Sequence, residues 1–471
     1  MMRFKFSFTL TLALLCAAIT FCLTVSTHAQ TVSFLNRQSA NSVIQGPDGN
    51  LYGTGGGGAN NLGQIFRMTP TGKVGTIYSF CSEPNCADGE NPSAAPILGS
   101  DGNLYGAVLD GGNNHSGILY RATLSGKFTT LYAFCPTSPC VDGQAPTGLL
   151  EASDGNFYGT TVGGGNAADS GTIFRISPSG RFTLLYTFCS RANCADGASP
   201  NFPPIEGRDG NFYGVTYSGG SAGGGVIYRL TPQGSYKVLY NFCSYGQSGG
   251  CPTGSDPENI VQDSNGNLIG TTAFGGDAHN DGTIFEFTAA SQYIVLHQFD
   301  GVDGTVPNMG LTLASDGNLY GMTQGGGTAG TGNIFEISST GEFTSLYSFS
   351  PARGYDPFAG PLFQATDGNF YGTTIYGPTV NSGTIFRFAN GLGPLVETAP
   401  TAGKVGKRVL ILGNHLTGST SVTFNGVEAD FAVESDTYIR ATVPAGATTG
   451  LVSVVTPSGT LNSNPQFVVT K

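Results

Sequence analysis

Paired cysteines and recurring acids are the residues here whose types and spacing carry chemistry. Beyond residue 29 the eight cysteines stand in four close pairs: Cys81/Cys86, Cys135/Cys140, Cys189/Cys194 and Cys243/Cys251. An even count and one recurring placement favour four local disulfides in an exported protein. A zinc site wants about four N or S ligands converging, whereas these pairs are spread over separate repeats and no histidine accompanies them. A bridge this short closes a small ring, so its stabilisation belongs at the low end of the usual ~2–4 kcal/mol. Its expected work is to hold a loop in shape.

An acid recurs in the same stretches: Asp88-Gly89, Asp142-Gly143, Asp196-Gly197, Asp256-Pro257, Asp303-Gly304 and Asp356-Pro357. Asp before Gly or Pro is first of all a turn residue. The functional reading is a partial ring of carboxylates that binds a polyol or Ca²⁺, since hard cations want several oxygens. No dense Asp-x-Asp-x-Asp loop accompanies it, so no cofactor is assigned.

Catalysis needs a break in a repeat, because chemistry uses few residues. Glu151 and Glu206 occupy the same place in consecutive repeats, where Gln45, Leu98, Gln262, Leu313 and Gln364 stand in the others. Two carboxylates can act as acid and base on a sugar. Their plainer reading is the polar lining of a channel. His115, His279, His297 and His415 are scattered and not at ligand spacing. No Gly-x-Ser-x-Gly elbow, His-Glu-x-x-His or phosphate loop occurs. Binding is therefore expected rather than catalysis, with glycan, envelope material or a surface protein as partner. The alternative is a secreted carbohydrate-active enzyme, a glycoside hydrolase or lyase, that uses Glu151 and Glu206.

The elements that position these residues come from internal repetition. Asp-Gly-Asn followed by an aromatic-Gly pair begins at Asp48, Asp101, Asp154, Asp209, Asp316 and Asp367, with a variant at Asn265; the seven copies are spaced 53, 53, 55, 56, 51 and 51 residues. Each is followed by a Gly-x-Ile-Phe-Arg run such as Gly171–Arg175, then an alternating run such as Phe182–Phe188. With the apolar stretch before the anchor, each copy reads as four short strands punctuated by Gly, Asp and Pro. Seven four-stranded units of about 50 residues indicate a β-propeller, with a stacked solenoid as the alternative. The chain ends favour the ring. The seventh copy lacks a fourth strand, and Thr31–Leu35 is an orphan strand of the fourth type that would complete it.

These motifs resemble the bacterial GloVer (Gloeobacter/Verrucomicrobia) tandem repeat over about residues 31 to 390. The resemblance implies an exported or surface protein, often with an added C-terminal module, and it supplies no catalytic residues. From Gly393 the period stops. Short alternating strands then suggest a small Ig-like sandwich, similar to the IPT/TIG family from its Pro-x-x-Gly-x-x-Gly opening to Val443-Pro444. The expected organisation is 1–29 targeting segment, 30–392 propeller and 393–471 Ig-like domain.

Arg3 and Lys5, the apolar run from about Phe8 to Val25 and the small residue Ala29 form the three-part pattern of a secretory signal peptide. An uncleaved membrane anchor is the competing reading. Leu15 and Phe21 stand where a lipoprotein wants a small residue ahead of Cys16 or Cys22. No second long apolar run follows, so a protein secreted outside the cell, held at its surface or retained in the periplasm is expected, with no membrane span after cleavage. Without residues 1–29 the chain carries 18 basic and 31 acidic residues, a balance of −13 that falls on the repeats. Nucleic acid and anionic membrane need basic patches and are excluded as partners.

Overall fold

The computed structural model describes residues 30–244, 250–357, 360–378 and 383–470. The targeting segment lies outside them. The described chain is all-β, apart from three short 3-10 turns.

Each repeat forms one antiparallel sheet in chain order. The first consists of Ser42–Gln45, Leu51–Gly55, Gln64–Met68 and Val74–Ser79. Five more follow the same plan, and those of the second and third repeats gain an extra short strand, Glu90–Pro92 and Gln144–Pro146. The seventh sheet takes its outer strand from the other end of the chain. Thr31–Asn36 pairs antiparallel with Thr384–Ala389, from Thr31 opposite Ala389 to Asn36 opposite Ile385. The orphan strand therefore completes the last repeat.

Two recurring contacts explain the motif. The aromatic-Gly pair exists because the glycine of the second strand faces the aromatic of Gly-x-Ile-Phe across the sheet: Gly53 opposite Phe66, Gly159 opposite Phe174, Gly372 opposite Phe386. A Cβ at any of these glycines would enter the ring. The Asp of the anchor holds its own turn and the strand after it. Asp48 accepts the Asn50 N–H and side-chain amide and, at 2.8 Å, the Tyr52 hydroxyl.

Neighbouring sheets share apolar cores. Tyr105 and Leu119 pack with Leu149, Phe157 and Phe174; Val43 and Phe66 of the first repeat pack with Ala365, Tyr371 and Ile385 of the seventh. The contacts thus run through the series and return to its start. Stacked rings tie the outer strands: Tyr78 on Phe128 at 4.0 Å, Tyr132 on Phe182 at 4.2 Å, Tyr186 on Tyr236 at 3.9 Å. His297 takes the tyrosine's place in this series, stacked on Phe343 at 4.0 Å.

After residue 393 two four-stranded sheets enclose a separate core of Val409, Ile411, Val422, Ile439, Val452 and Phe467. This unit sits on the Asp-Gly-Asn end of the repeats. The Thr437 hydroxyl donates to the Pro47 carbonyl (2.6 Å), Asn414 to Thr366 (2.8 Å), Asn464 to the Leu313 carbonyl (2.6 Å), and Arg208 to Gln466 (2.7 Å). Leu410 and Leu412 join the core between the first and second repeats.

Candidate functional site

All four cysteine pairs are bridged as disulfides: Cys81–Cys86, Cys135–Cys140, Cys189–Cys194 and Cys243–Cys251. Each lies in the connection from one sheet to the next. The single cluster of three metal-type ligands among the described residues is Cys81, Cys86 and Glu90, and both sulfurs are in the disulfide.

The six acids read as one series occupy two different positions. Asp88, Asp142 and Asp196 are buried inside the cysteine loops. Asp88 accepts the Tyr78 hydroxyl (2.6 Å) and the Ser82 and Glu83 N–H groups; Asp196 accepts Tyr186 (2.6 Å) and the Ser190 and Arg191 N–H groups. Asp142 accepts Tyr132 (2.7 Å) and the Cys135 N–H. Asp303 does the same with His297 at 2.8 Å. These carboxylates tie a fourth-strand side chain to the loop, and buried acceptors so occupied are committed to the fold. Asp256 and Asp356 stand elsewhere, at a left-handed residue (φ 56 and 58°) just before a proline. The corresponding residues Asn91, Ala145, Ser199 and Val306 share that backbone. The six therefore do not make one ring.

Glu151 and Glu206 are struts between repeats. Glu151 accepts the Ser100 N–H (2.7 Å) and hydroxyl (2.6 Å), and Glu206 accepts those of Ser153 (2.7 and 2.5 Å). Gln45 holds the Thr366 N–H, Gln262 that of Arg208 and Gln364 that of Ser315, each at 2.9 Å. Burial raises the carboxyls of Glu151 and Glu206, and the bonds from Ser100 and Ser153 oppose the rise. His115 lies near Glu90, His279 bonds Asp277, and His415 lies near Asp436, all three exposed.

A funnel of about 780 Å³ is lined by residues of all seven repeats. Its wall comes from the residues that lead into the first strands, such as Ser93–Ile97 and Asn201–Ile205, and from the far ends of the second strands, such as Leu109, Val162 and Gln324. That is the end at which the cysteine loops connect the sheets. Ile44, Ile97, Leu150 and Phe363 narrow the passage and also line a second cavity of about 320 Å³ beneath it. The C-terminal unit closes this lower cavity with Glu397–Thr401, Leu412, Asn464 and Pro465. Glu397, deep inside but on the cavity wall, has its carboxyl raised well above the ordinary range by burial, with the charge of Asp367 adding to the effect.

The funnel is mostly apolar on the side of the first three repeats, with Val43, Ala94, Ala95, Leu149 and Val162 beside Ser42, Ser93 and Thr147. The opposite side brings the polar groups Asn201, Tyr217, Glu258, Asn259, Asn308 and Gln324 among apolar residues such as Phe202, Pro203 and Met309. Glu258 is its one acid, 7 % exposed. Burial pushes its carboxyl up to about 8; the charge of Asp256 adds to the rise and a hydrogen bond with Asn201 opposes it. Burial lifts Asp256 to about 6, against a hydrogen bond with Tyr217. Sequence reasoning passed over Glu258, although a signal was present. Seven residues before the anchor the other repeats hold Asn41, Ala94, Thr147, Phe202, Met309 and Gly360, so only the fifth carries an acid.

Among solved structures, the chain is similar to a periplasmic gluconolactonase of Pseudomonas aeruginosa, at 14% identity over 64% of this chain and 83% of that one, with a TM-score of 0.41. It is also similar to a protein of unknown function from Bacteroides thetaiotaomicron, at 14% identity over 77% of this chain and 76% of that one (TM-score 0.38). A third, a functionally unknown protein from Desulfotomaculum acetoxidans, is 11% identical over 68% of this chain and 88% of that one (TM-score 0.41). Likenesses this distant carry no argument about chemistry. No curated protein matches the sequence. Family models do match: the Gloeobacter/Verrucomicrobia repeat over residues 38–253 and 204–426, and the IPT/TIG domain over residues 396–469. The anchors, the glycine–aromatic pairs and the seven like sheets are thus the body of one repeat, and the chain belongs to the Gloeobacter/Verrucomicrobia repeat family, with an IPT/TIG domain following the repeats.

Proposed function

We propose that this is an exported, non-enzymatic binding protein. Its repeats form a seven-bladed propeller that receives a glycan terminus in the funnel, and an Ig-like IPT/TIG domain closes the opposite end. The observation that carries this reading is the funnel itself: all seven repeats contribute to it, and its far side is stoppered. Amide and carboxyl groups facing apolar walls suit a sugar, whose hydroxyls want donors and acceptors and whose C–H faces want apolar contact. Export is supported by the four disulfides, which persist in oxidising compartments, and by the signal-peptide pattern of residues 1–29. No helix among the described residues is long and apolar enough to cross a membrane. Carbohydrate cleavage by Glu151 and Glu206 is the less favoured reading, because their oxygens already hold Ser100 and Ser153.

The test is a glycan panel presented to the secreted protein, with turnover monitored. Binding without cleavage, abolished by Ala95→Trp at unchanged melting temperature, is the expected result. Binding that survives Ala95→Trp, or cleavage that disappears in Glu151→Gln, overturns it.

A further inference from the structure

Burying a carboxyl group without a cation is costly, and proteins compensate such a group or leave it protonated. Glu258 has no cation beside it and only the hydrogen bond with Asn201 to offset its burial. No Lys, Arg or His is among the described residues that line the funnel, and Glu258 and Tyr217 are its only titratable groups. The groups that reach it from neighbouring segments are Asn201 of the preceding repeat and Asp256 on its own strand Ser255–Gln262, itself bonded to Tyr217. On the other side the next repeat contributes Asn308 and Met309 and, beyond them, Gln324. None is basic. Asn308 is 5 % exposed, and its Oδ1 has no hydrogen-bond partner; its amide donates to Gln324 (3.3 Å). This side of the funnel thus holds two carboxyl groups with no cation beside them and a surplus acceptor; the other repeats are uncharged at the position of Glu258, and at that of Asp256 only the seventh carries an acid, Asp356, which bonds Gln324.

Resting on the funnel as the ligand site, we propose that Glu258 seats a protonated amine, so that the ligand is a saccharide with a free amino group. An ammonium has three N–H donors and the charge that Asp256 and Glu258 lack. An acidic sugar is repelled by the same groups. A neutral hydroxyl satisfies the acceptors but leaves the charge uncompensated. Phe202, Phe363 and Pro203 on the walls accommodate the sugar's C–H faces.

The proposal includes a proton step. Near pH 7 Asp256 is ionised and Glu258 mostly holds its proton, given values of about 6 and about 8. As the ammonium enters, an opposite charge at close range favours the carboxylate, and Glu258 releases its proton to solvent. An amine that arrives as the ammonium keeps its own protons, and one that arrives neutral takes up the proton that Glu258 gives up. Binding of the ammonium form therefore liberates the proton of Glu258, and affinity rises with pH only as far as the ligand's own amine stays protonated.

Calorimetry at pH 7 in two buffers of different ionisation enthalpy tests this, with a glucosamine tetramer, an N-acetylglucosamine tetramer and a galacturonate tetramer as probes. The glucosamine tetramer is expected to bind at least tenfold more tightly than the other two, with a net proton exchange that combines release from Glu258 and uptake by whatever amine arrives neutral. Glu258→Gln should weaken it about tenfold or more and shift the net proton exchange towards uptake by most of one proton. Asp256→Asn, should the first variant melt early, should weaken it in the same direction. Equal binding of the N-acetylated tetramer, or unchanged affinity and proton exchange in both variants, overturns the proposal. If the N-acetylated tetramer binds as well but Ala95→Trp abolishes it, the amine is wrong and the funnel stands. If Ala95→Trp affects no probe that binds, both fall. Tighter binding of a lysine-rich peptide than of any saccharide also overturns it.

Discussion

Tyr120 and Tyr228 are fully buried, and their hydroxyls have no hydrogen-bond partner. Five of the seven repeats place Phe there: Phe66, Phe174, Phe285, Phe335 and Phe386. An unsatisfied buried hydroxyl costs roughly 1–3 kcal/mol. Tyr120→Phe should therefore raise stability by about 1 kcal/mol in denaturant titration, and a loss would mean that the hydroxyl has a bound partner. Glu258 makes a second prediction at this scale. Its carboxyl stands at about 8 in the fold against an ordinary 4.5, so between those values the native state holds more protons than the unfolded chain. The native state accordingly loses stability as pH rises through that window. Glu258→Gln removes this loss. Its melting temperature should exceed that of the parent by roughly 2–4 °C at pH 9, and by little at pH 5. An equal difference at both pH values would refute the raised acidity.

Repetition at the element scale is enforced by close approach. In the first repeat Phe66 opposes Thr76 and Ile65 opposes Tyr78, so Ile77 bulges from the outer strand. Its carbonyl lies against the turn glycine of the next repeat, Gly126, where a Cβ would stand 2.7 Å away. Leu131 and Gly180 repeat the contact at 2.8 Å. That explains the glycine that closes the turns Thr123–Gly126 and Ser177–Gly180, beyond the positive φ each adopts. The second-strand glycine is more tightly held. At Gly159 a Cβ would stand 2.5 Å from the Phe174 ring and 2.5 Å from the Gly148 carbonyl. Gly159→Ala should cost about 1–3 kcal/mol, read from the urea midpoint. A change below a few tenths would show that the ring moves aside freely.

The whole molecule depends on joining its ends. Thr31–Asn36 pairs with Thr384–Ala389, and Phe34 packs on Phe386 with ring centroids 6.3 Å apart. Without this strand the seventh sheet has an unpaired edge and exposes part of the core it shares with the sixth repeat. Deleting residues 30 to 36 should cost about 3–5 kcal/mol and produce an earlier, less cooperative melt. Unchanged melting would show that the seven sheets are stable as an open series. The opposite end of the passage is closed by Leu412, Asn464 and Pro465, so the IPT/TIG domain is part of the floor of the repeat body.

What the sequence determined by itself was everything that recurs. The period, the four strands per repeat, the orphan strand and the cysteine pairing follow from local chemistry and spacing, and seven copies make each of them visible. Only the tertiary structure decided what the acids do. Asp88, Asp142 and Asp196 read first as turn residues, and their tyrosine partners, Tyr78, Tyr132 and Tyr186, stayed hidden because they are ten residues back on another strand. Glu151 and Glu206 looked like a pair because they recur, yet each holds a serine 51 or 53 residues earlier. Glu258 breaks the repeat at its position, but nothing in the sequence shows that this single acid is buried. Burial arises when seven sheets bring Asn201, Asn308 and Glu258 to one funnel, and burial is what alters a carboxyl group.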